Sequence, residues 1–111
     1  MTIEEYSEIE DLCSKFDQDS NLLCQELLND SIGDIEMMAG LLQTSLTMLI
    51  KHTFLNIPNG QYIGVVVAPI YEGESVSLGV TITNHGKEIK TQVPHSLGNT
   101  IKLILMEHIG W

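Results

Sequence analysis

The stretch YIGVVVAPIYEGESVSLGVTITNHGKEIKTQV, residues 62–93, decides the fold. Tyr62 to Ala68 is a near-continuous apolar run. Val76, Leu78, Val80 and Ile82 then alternate with Ser75, Ser77, Gly79, Thr81 and Thr83, and Ile89, Thr91 and Val93 alternate with Glu88, Lys90 and Gln92. A period of two sends successive side chains to opposite faces of a pleated chain, so three strands are predicted. The connectors Tyr71-Glu-Gly-Glu74 and Asn84-His-Gly-Lys87 are short and rich in turn formers, which makes the sheet an antiparallel meander. Pro69 falls at the end of the first strand, where a missing amide does least harm.

Upstream the period changes to that of a helix. Residues 3 to 16 place Ile3, Tyr6, Ile9, Leu12, Cys13 and Phe16 on one face and Glu4, Glu8, Asp11 and Lys15 on the other. Asp17-Gln-Asp-Ser-Asn21 is predicted to break this helix, with Asp19 or Ser20 capping a short second one through Leu22, Leu23, Leu27 and Leu28. A third helix is predicted over about 32–55, with Ser31 as N-cap and Asp34 as the acid of a capping box. Its polar residues, Glu36, Gly40, Gln43, Thr47 and Lys51, form a thin stripe, and Ile35, Met37, Met38, Leu41, Leu42, Leu46, Met48, Leu49 and Ile50 cover the rest. A helix so apolar is expected to be nearly surrounded, either by the core or by a second copy of the chain. Pro58 and Asn59-Gly60 end this half. Downstream, Ser96 is placed to cap a last helix with Leu97, Ile101, Ile104, Leu105 and Ile109 along one side.

The fold class read from this order is α+β: N-terminal helices, a three-stranded antiparallel β-meander and a C-terminal helix packed on one face of the sheet. A chain of 111 residues with 43% apolar content fits a single domain, 1–111, helical over 1–57, with the sheet over 60–93 and the last helix over 96–109. From the long helix onward, the order helix–strand–strand–strand–helix is similar to that of double-stranded-RNA-binding domains. The resemblance implies topology alone, because the basic residues that such domains use at the start of the last helix are missing.

Charge is distributed unevenly. Eleven of the fifteen acidic side chains lie in residues 1–36 with Lys15 as the only cation, while from Met37 onward Glu72, Glu74, Glu88 and Glu107 are matched by Lys51, Lys87, Lys90 and Lys102. The formal net charge of −10 therefore belongs to one third of the chain. Such a block works against compactness through self-repulsion, and its use is to attract something basic. Arginine is absent and the lysines form no stripe, so direct binding of DNA or RNA is not expected. The acidic start and the lack of a membrane-length apolar run lead to the expectation of a cytoplasmic protein. Cys13 and Cys24, each within an apolar helical pattern, read as buried free thiols.

Motifs for chemistry are weak. Asp30-Ser-Ile-Gly-Asp-Ile-Glu36 resembles the prosthetic-group site of acyl carrier proteins, a resemblance that implies phosphopantetheine on Ser31 and an all-helical bundle. The strands depart from that family, and helix capping accounts for the same residues. Asp17, Asp19 and Asn21 match the first ligand positions of an EF-hand loop, but Leu22 stands where glycine is needed and Leu28 where the bidentate glutamate belongs. His52, His85, His95 and His108 have no metal-ligand spacing, and Ser31, Ser45 and Ser96 sit in no nucleophile elbow. No cofactor or metal is expected.

The functional expectation is a non-enzymatic binding protein whose acidic helical half docks on a basic surface of a partner protein through Glu4, Glu5, Glu8, Asp11, Asp17, Asp19 and Glu26. Glu4, Glu8 and Asp11 are about one turn, ~5.4 Å, apart along one ridge, and such a row of charge can imitate a phosphate backbone. Inhibition of a nucleic-acid-binding enzyme, in the manner of a phage-type inhibitor or immunity protein, is the sharper form of this reading. Beside it stands the plain alternative that the face only solubilises the chain. Another alternative is a self-associating, chaperone-like accessory protein that dimerises through the helix of residues 32–55, and a third is a small enzyme. If the ridge is only a solvated face, the working surface is sought on the long helix or at Ser75, Ser77, Thr81, Thr83 and Lys90.

Overall fold

The computed structural model describes residues 3–29, 34–57, 60–93 and 97–108. The order is α1 (Ile3–Asn29), α2 (Ile35–Thr53), a short 3₁₀ turn (Gly60–Tyr62), β1 (Ile63–Glu72), β2 (Ser75–Asn84), β3 (Lys87–Val93) and α3 (Leu97–His108). The architecture is α+β, with the antiparallel sheet in the order β1-β2-β3. Helix α2 packs on β1, α3 packs on β3 and β2, and α1 packs against both helices.

The sheet follows the alternation in the sequence. Ile63, Val65 and Val67 of β1 and Leu78, Val80, Ile82 and Asn84 of β2 are buried beneath the helices, while Ser77, Gly79, Thr81 and Thr83 turn to the other face. Both hairpins close through two residues, with Glu72 paired to Ser75 and Asn84 to Lys87. In the second, His85 (φ 50°) and Gly86 (φ 81°) both take the positive φ of a type I′ turn, and the Tyr62 ring lies against His85 with centroids 4.5 Å apart.

β1 runs on to Glu72, past the predicted end near Ala68, with Pro69 inside the strand opposite Leu78. The reason is that β1 is an edge strand. The Val67 N–H donates to Gln43 Oε1 on α2 at 3.0 Å, so the odd-numbered amides point away from β2. Pro69 occupies the next such position, where no ladder hydrogen bond is lost.

The helical half differs from expectation in two places. The predicted break at 17–21 does not occur: α1 is one 27-residue helix without glycine or proline. Ile9, Cys13, Phe16, Ser20 and Cys24 form a single buried stripe, and Leu23 and Leu27 pack beside it, so the apolar phase continues through the polar cluster. Asp, Ser and Asn cost only about 0.5 kcal/mol each in a helix interior, against about 2 kcal/mol for burying one large apolar side chain. Ser20 removes its own penalty by donating to the Asp17 carbonyl at 3.2 Å.

The N-cap of α2 is Asp34, whose carboxylate accepts from Glu36 N at 3.0 Å and Met37 N at 3.3 Å. The helix therefore opens three residues later than predicted, and Asp34 performs the capping assigned to Ser31. Ser31 lies outside the described residues, as do Pro58, Asn59, His95, Ser96 and Ile109. Met38, Ala39, Leu42, Leu46 and Ile50 of α2 are buried, with Phe54 as its C-cap. Within the chain the helix is covered on one side only, since Met37, Leu41 and Met48 remain exposed.

Between α1 and the sheet lies α3, with Ile101, Ile104 and Leu105 fully buried. Its start is fixed from α1: the Gly98 N–H donates to Asp17 Oδ1 at 2.5 Å, supplying an acceptor to one of the orphan amides of a helix N-terminus. A Cβ at position 98 would run into the Cys13 carbonyl oxygen, so this close approach requires glycine.

Candidate functional site

The acidic residues named from the sequence divide according to the single phase of α1. At 3.6 residues per turn, Glu4, Glu8, Asp11, Lys15, Asp19, Leu22 and Glu26 fall within a sector of about 80°, well away from the buried stripe. Glu4, Glu8, Asp11 and Glu26 are exposed and Asp19 is half-buried. Glu5 is exposed and stands just outside the sector. Asp17 points about 160° away from Asp19, toward α3, and its carboxylate is engaged by Gly98. Asp17 is thus a joint between helices and does not share the acidic flank. The same divergence separates the trio Asp17, Asp19 and Asn21, which lie in continuous helix and form no calcium loop.

Continuity of α1 gives the flank its length. From Glu4 to Glu26 the ridge extends about 33 Å on one rigid helix. Glu4, Glu8 and Asp11, about one turn apart, lie within the screening length of about 8 Å at physiological salt and act together on an approaching cation, whereas Asp19 and Glu26 are spaced more widely beyond Lys15.

The ridge borders an apolar groove between the second half of α1 and α2. Its volume is about 580 Å³, and it is lined by Asp19, Leu22, Leu23 and Glu26 from α1 and by Ser45, Met48, Leu49 and His52 from α2. Leu22 is 59% exposed and Met48 68%. This groove was not foreseen. The expected break at 17–21 leaves Leu22 with no fixed relation to Glu4, Glu8 and Asp11, whereas in the continuous helix it stands in their sector.

The outer face of the sheet is mixed. Val66, Ala68 and Ile70 give it an apolar side, Lys90 and Gln92 a polar one, and a depression of about 210 Å³ lies over Gly79 and Thr81. Among the described residues, no group of three or more His, Cys, Asp or Glu is placed to hold a metal ion, and no helix is long and apolar enough to cross a membrane.

Cys13 and Cys24 are buried free thiols. Burial pushes the Cys13 thiol up from the usual 9.0 to about 12; the Lys102 ammonium lowers it, and the Asp17 and Glu10 carboxylates raise it further. Burial also raises the Cys24 thiol. Neither has the lowered pKa of a nucleophile.

Comparison with protein-family models finds no match, and no curated protein and no solved structure matches the chain.

Proposed function

We propose that this chain is a non-enzymatic binding protein that captures a basic surface of another protein through the acidic flank of α1. The observation that carries this reading is the alignment of Glu4, Glu8, Asp11, Asp19 and Glu26 along one side of a single unbroken helix, on a chain whose net charge of −10 lies in residues 1–36. Charge held in register on a rigid rod steers encounter and suppresses acidic competitors without requiring conformational change.

Magnitude narrows the form of the partner. Five carboxylates less the Lys15 ammonium in the same sector leave four net charges over about 33 Å, roughly one per 8 Å, whereas a DNA duplex carries one per ~1.7 Å. The flank is therefore suited to a basic patch on a protein, and imitation of a duplex would need more charge than this face supplies. A second reading, self-association in an accessory or chaperone-like role, is favoured by the exposure of Met37, Leu41 and Met48 on α2.

The test is affinity capture from cell extract with the parent chain and with Glu4→Gln/Glu8→Gln/Asp11→Gln, at low and high salt. The expected result is a basic protein partner retained by the parent at low salt, released at high salt and captured at least tenfold less by the variant. Because all three side chains are exposed, the variant should lose no more than about 0.5 kcal/mol of stability per substitution. Equal capture of the same partners by parent and variant reduces the flank to a solvated face and overturns the proposal.

A further inference from the structure

Taking the acidic flank as the recognition surface, we infer that the groove between α1 and α2 seats an amphipathic, basic helix of the partner protein. The inference rests on the preceding reading and specifies what the partner presents.

Three features of the groove define its occupant. Leu22, Leu23, Met48 and Leu49 make half of the lining apolar, and the groove is open to solvent, a shape suited to side chains recurring at i, i+3, i+4 and i+7 of a docked helix. Met48 adds a flexible, polarisable side chain that adapts to differently shaped anchors. The walls differ in charge. Asp19 and Glu26 stand on the α1 side seven residues apart, about 10.5 Å, whereas the α2 side offers Ser45 and His52. A helix with lysine or arginine at i and i+7 beside its apolar stripe matches both carboxylates while its leucines enter the groove. Its other flank, against Ser45 and His52, needs no charge. The groove thus asks for an occupant that is apolar in the middle and basic on one side.

Charge complementarity selects this occupant over a second copy of the chain. Every excess negative charge lies in residues 1–36, and a partner copy seated in the groove would bring a second segment of −10 toward the first. An anionic lipid surface meets the same repulsion at Asp19 and Glu26. A basic helix instead relieves the self-repulsion of the ridge.

The probe is a synthetic 18-residue leucine–lysine peptide, its length about that of five helical turns, with leucines at i, i+3, i+4 and i+7. The control is a scrambled peptide of the same composition, and a leucine–glutamate peptide tests sign. Binding to the full chain is followed by fluorescence anisotropy at physiological salt. The amphipathic basic peptide is expected to bind at least tenfold more tightly than the scrambled one. Leu22→Ser/Met48→Ser should weaken it at least tenfold while lowering the thermal transition by only a few degrees, since both side chains are exposed. Asp19→Asn/Glu26→Gln should flatten the salt dependence.

Equal affinity for the scrambled peptide, or no effect of Leu22→Ser/Met48→Ser, overturns the groove as the seat. If Glu4→Gln/Glu8→Gln/Asp11→Gln still weakens the peptide in that case, the acidic-flank reading survives alone. If the leucine–glutamate peptide binds as well as the leucine–lysine one, the basic-partner reading falls together with this inference. A dimer by light scattering that dissociates in Leu22→Ser/Met48→Ser places a second copy in the groove and overturns the inference as well.

Discussion

Cys13 shows how a small side chain can report on the packing around it. Its thiol is buried where α1 meets α3, and burial raises it to about 12 from the usual 9.0. A group whose folded pKa is raised holds its proton longer in the native state than in the unfolded chain. Its contribution is therefore fully present below pH 9 and is lost as pH rises through about 12. Between these limits the parent should lose stability more steeply than Cys13→Ala, which has nothing to ionise at that position. Urea midpoints measured for both chains from pH 8 upward check this; parallel curves would mean that the thiol is solvated. The burial of Cys13 and Cys24 was legible from their places in the apolar phase. Asp17 was not, because a carboxylate in an acidic segment looks like its neighbours until a glycine amide 81 positions away defines its role.

Among the elements, β1 has the most to defend, since an edge strand presents unpaired amides to any passing chain. Gln43 covers one of them and Pro69 removes another, so the strand is guarded at 67 and 69 by different chemistry. Gln43→Leu leaves the Val67 N–H without its acceptor and should cost about 1 kcal/mol, whereas Gln43→Glu keeps an acceptor and should stay close to the parent. Thermal or urea unfolding of the two variants separates them; equal losses would show that Gln43 acts through its stem alone. The strands and their turns were legible because alternation and two-residue connectors are local signals. The turn-forming residues at 17–21 predict two helices where α1 is one, because the phase of Phe16, Ser20, Cys24 and Leu27 prevails when burial is at stake. Met37, Leu41 and Met48 could not be sorted from core positions on α2, because an apolar residue carries no mark of which side its neighbours will occupy.

The whole molecule is extended for its size. Its radius of gyration is 14.3 Å and its longest dimension 46 Å, against about 13 Å for the radius of gyration of a compact chain of this length. Helix α1 alone accounts for about 40 Å. The first part of the ridge, Glu4, Glu8 and Asp11, is legible in the sequence, but its extension to Asp19 and Glu26, and the groove beside them, depend on the continuity of α1. The bond between Asp17 and Gly98 carries a further consequence for how the molecule opens. Closing a segment of 81 residues costs about 1 kcal/mol more in chain entropy than closing the 24 between Gln43 and Val67. Helix α1 adds Ile9, Cys13, Phe16 and Cys24 to the core along one stripe and packs chiefly on α2 and α3, whereas β2 is held on both sides by its neighbouring strands. Native-state hydrogen exchange should accordingly find α1 amides escaping through a partial unfolding of lower free energy than the one that releases β2; identical protection in both would mark a single cooperative unit. The helix that bears the charge would then also be the one the chain can release while its sheet stays paired.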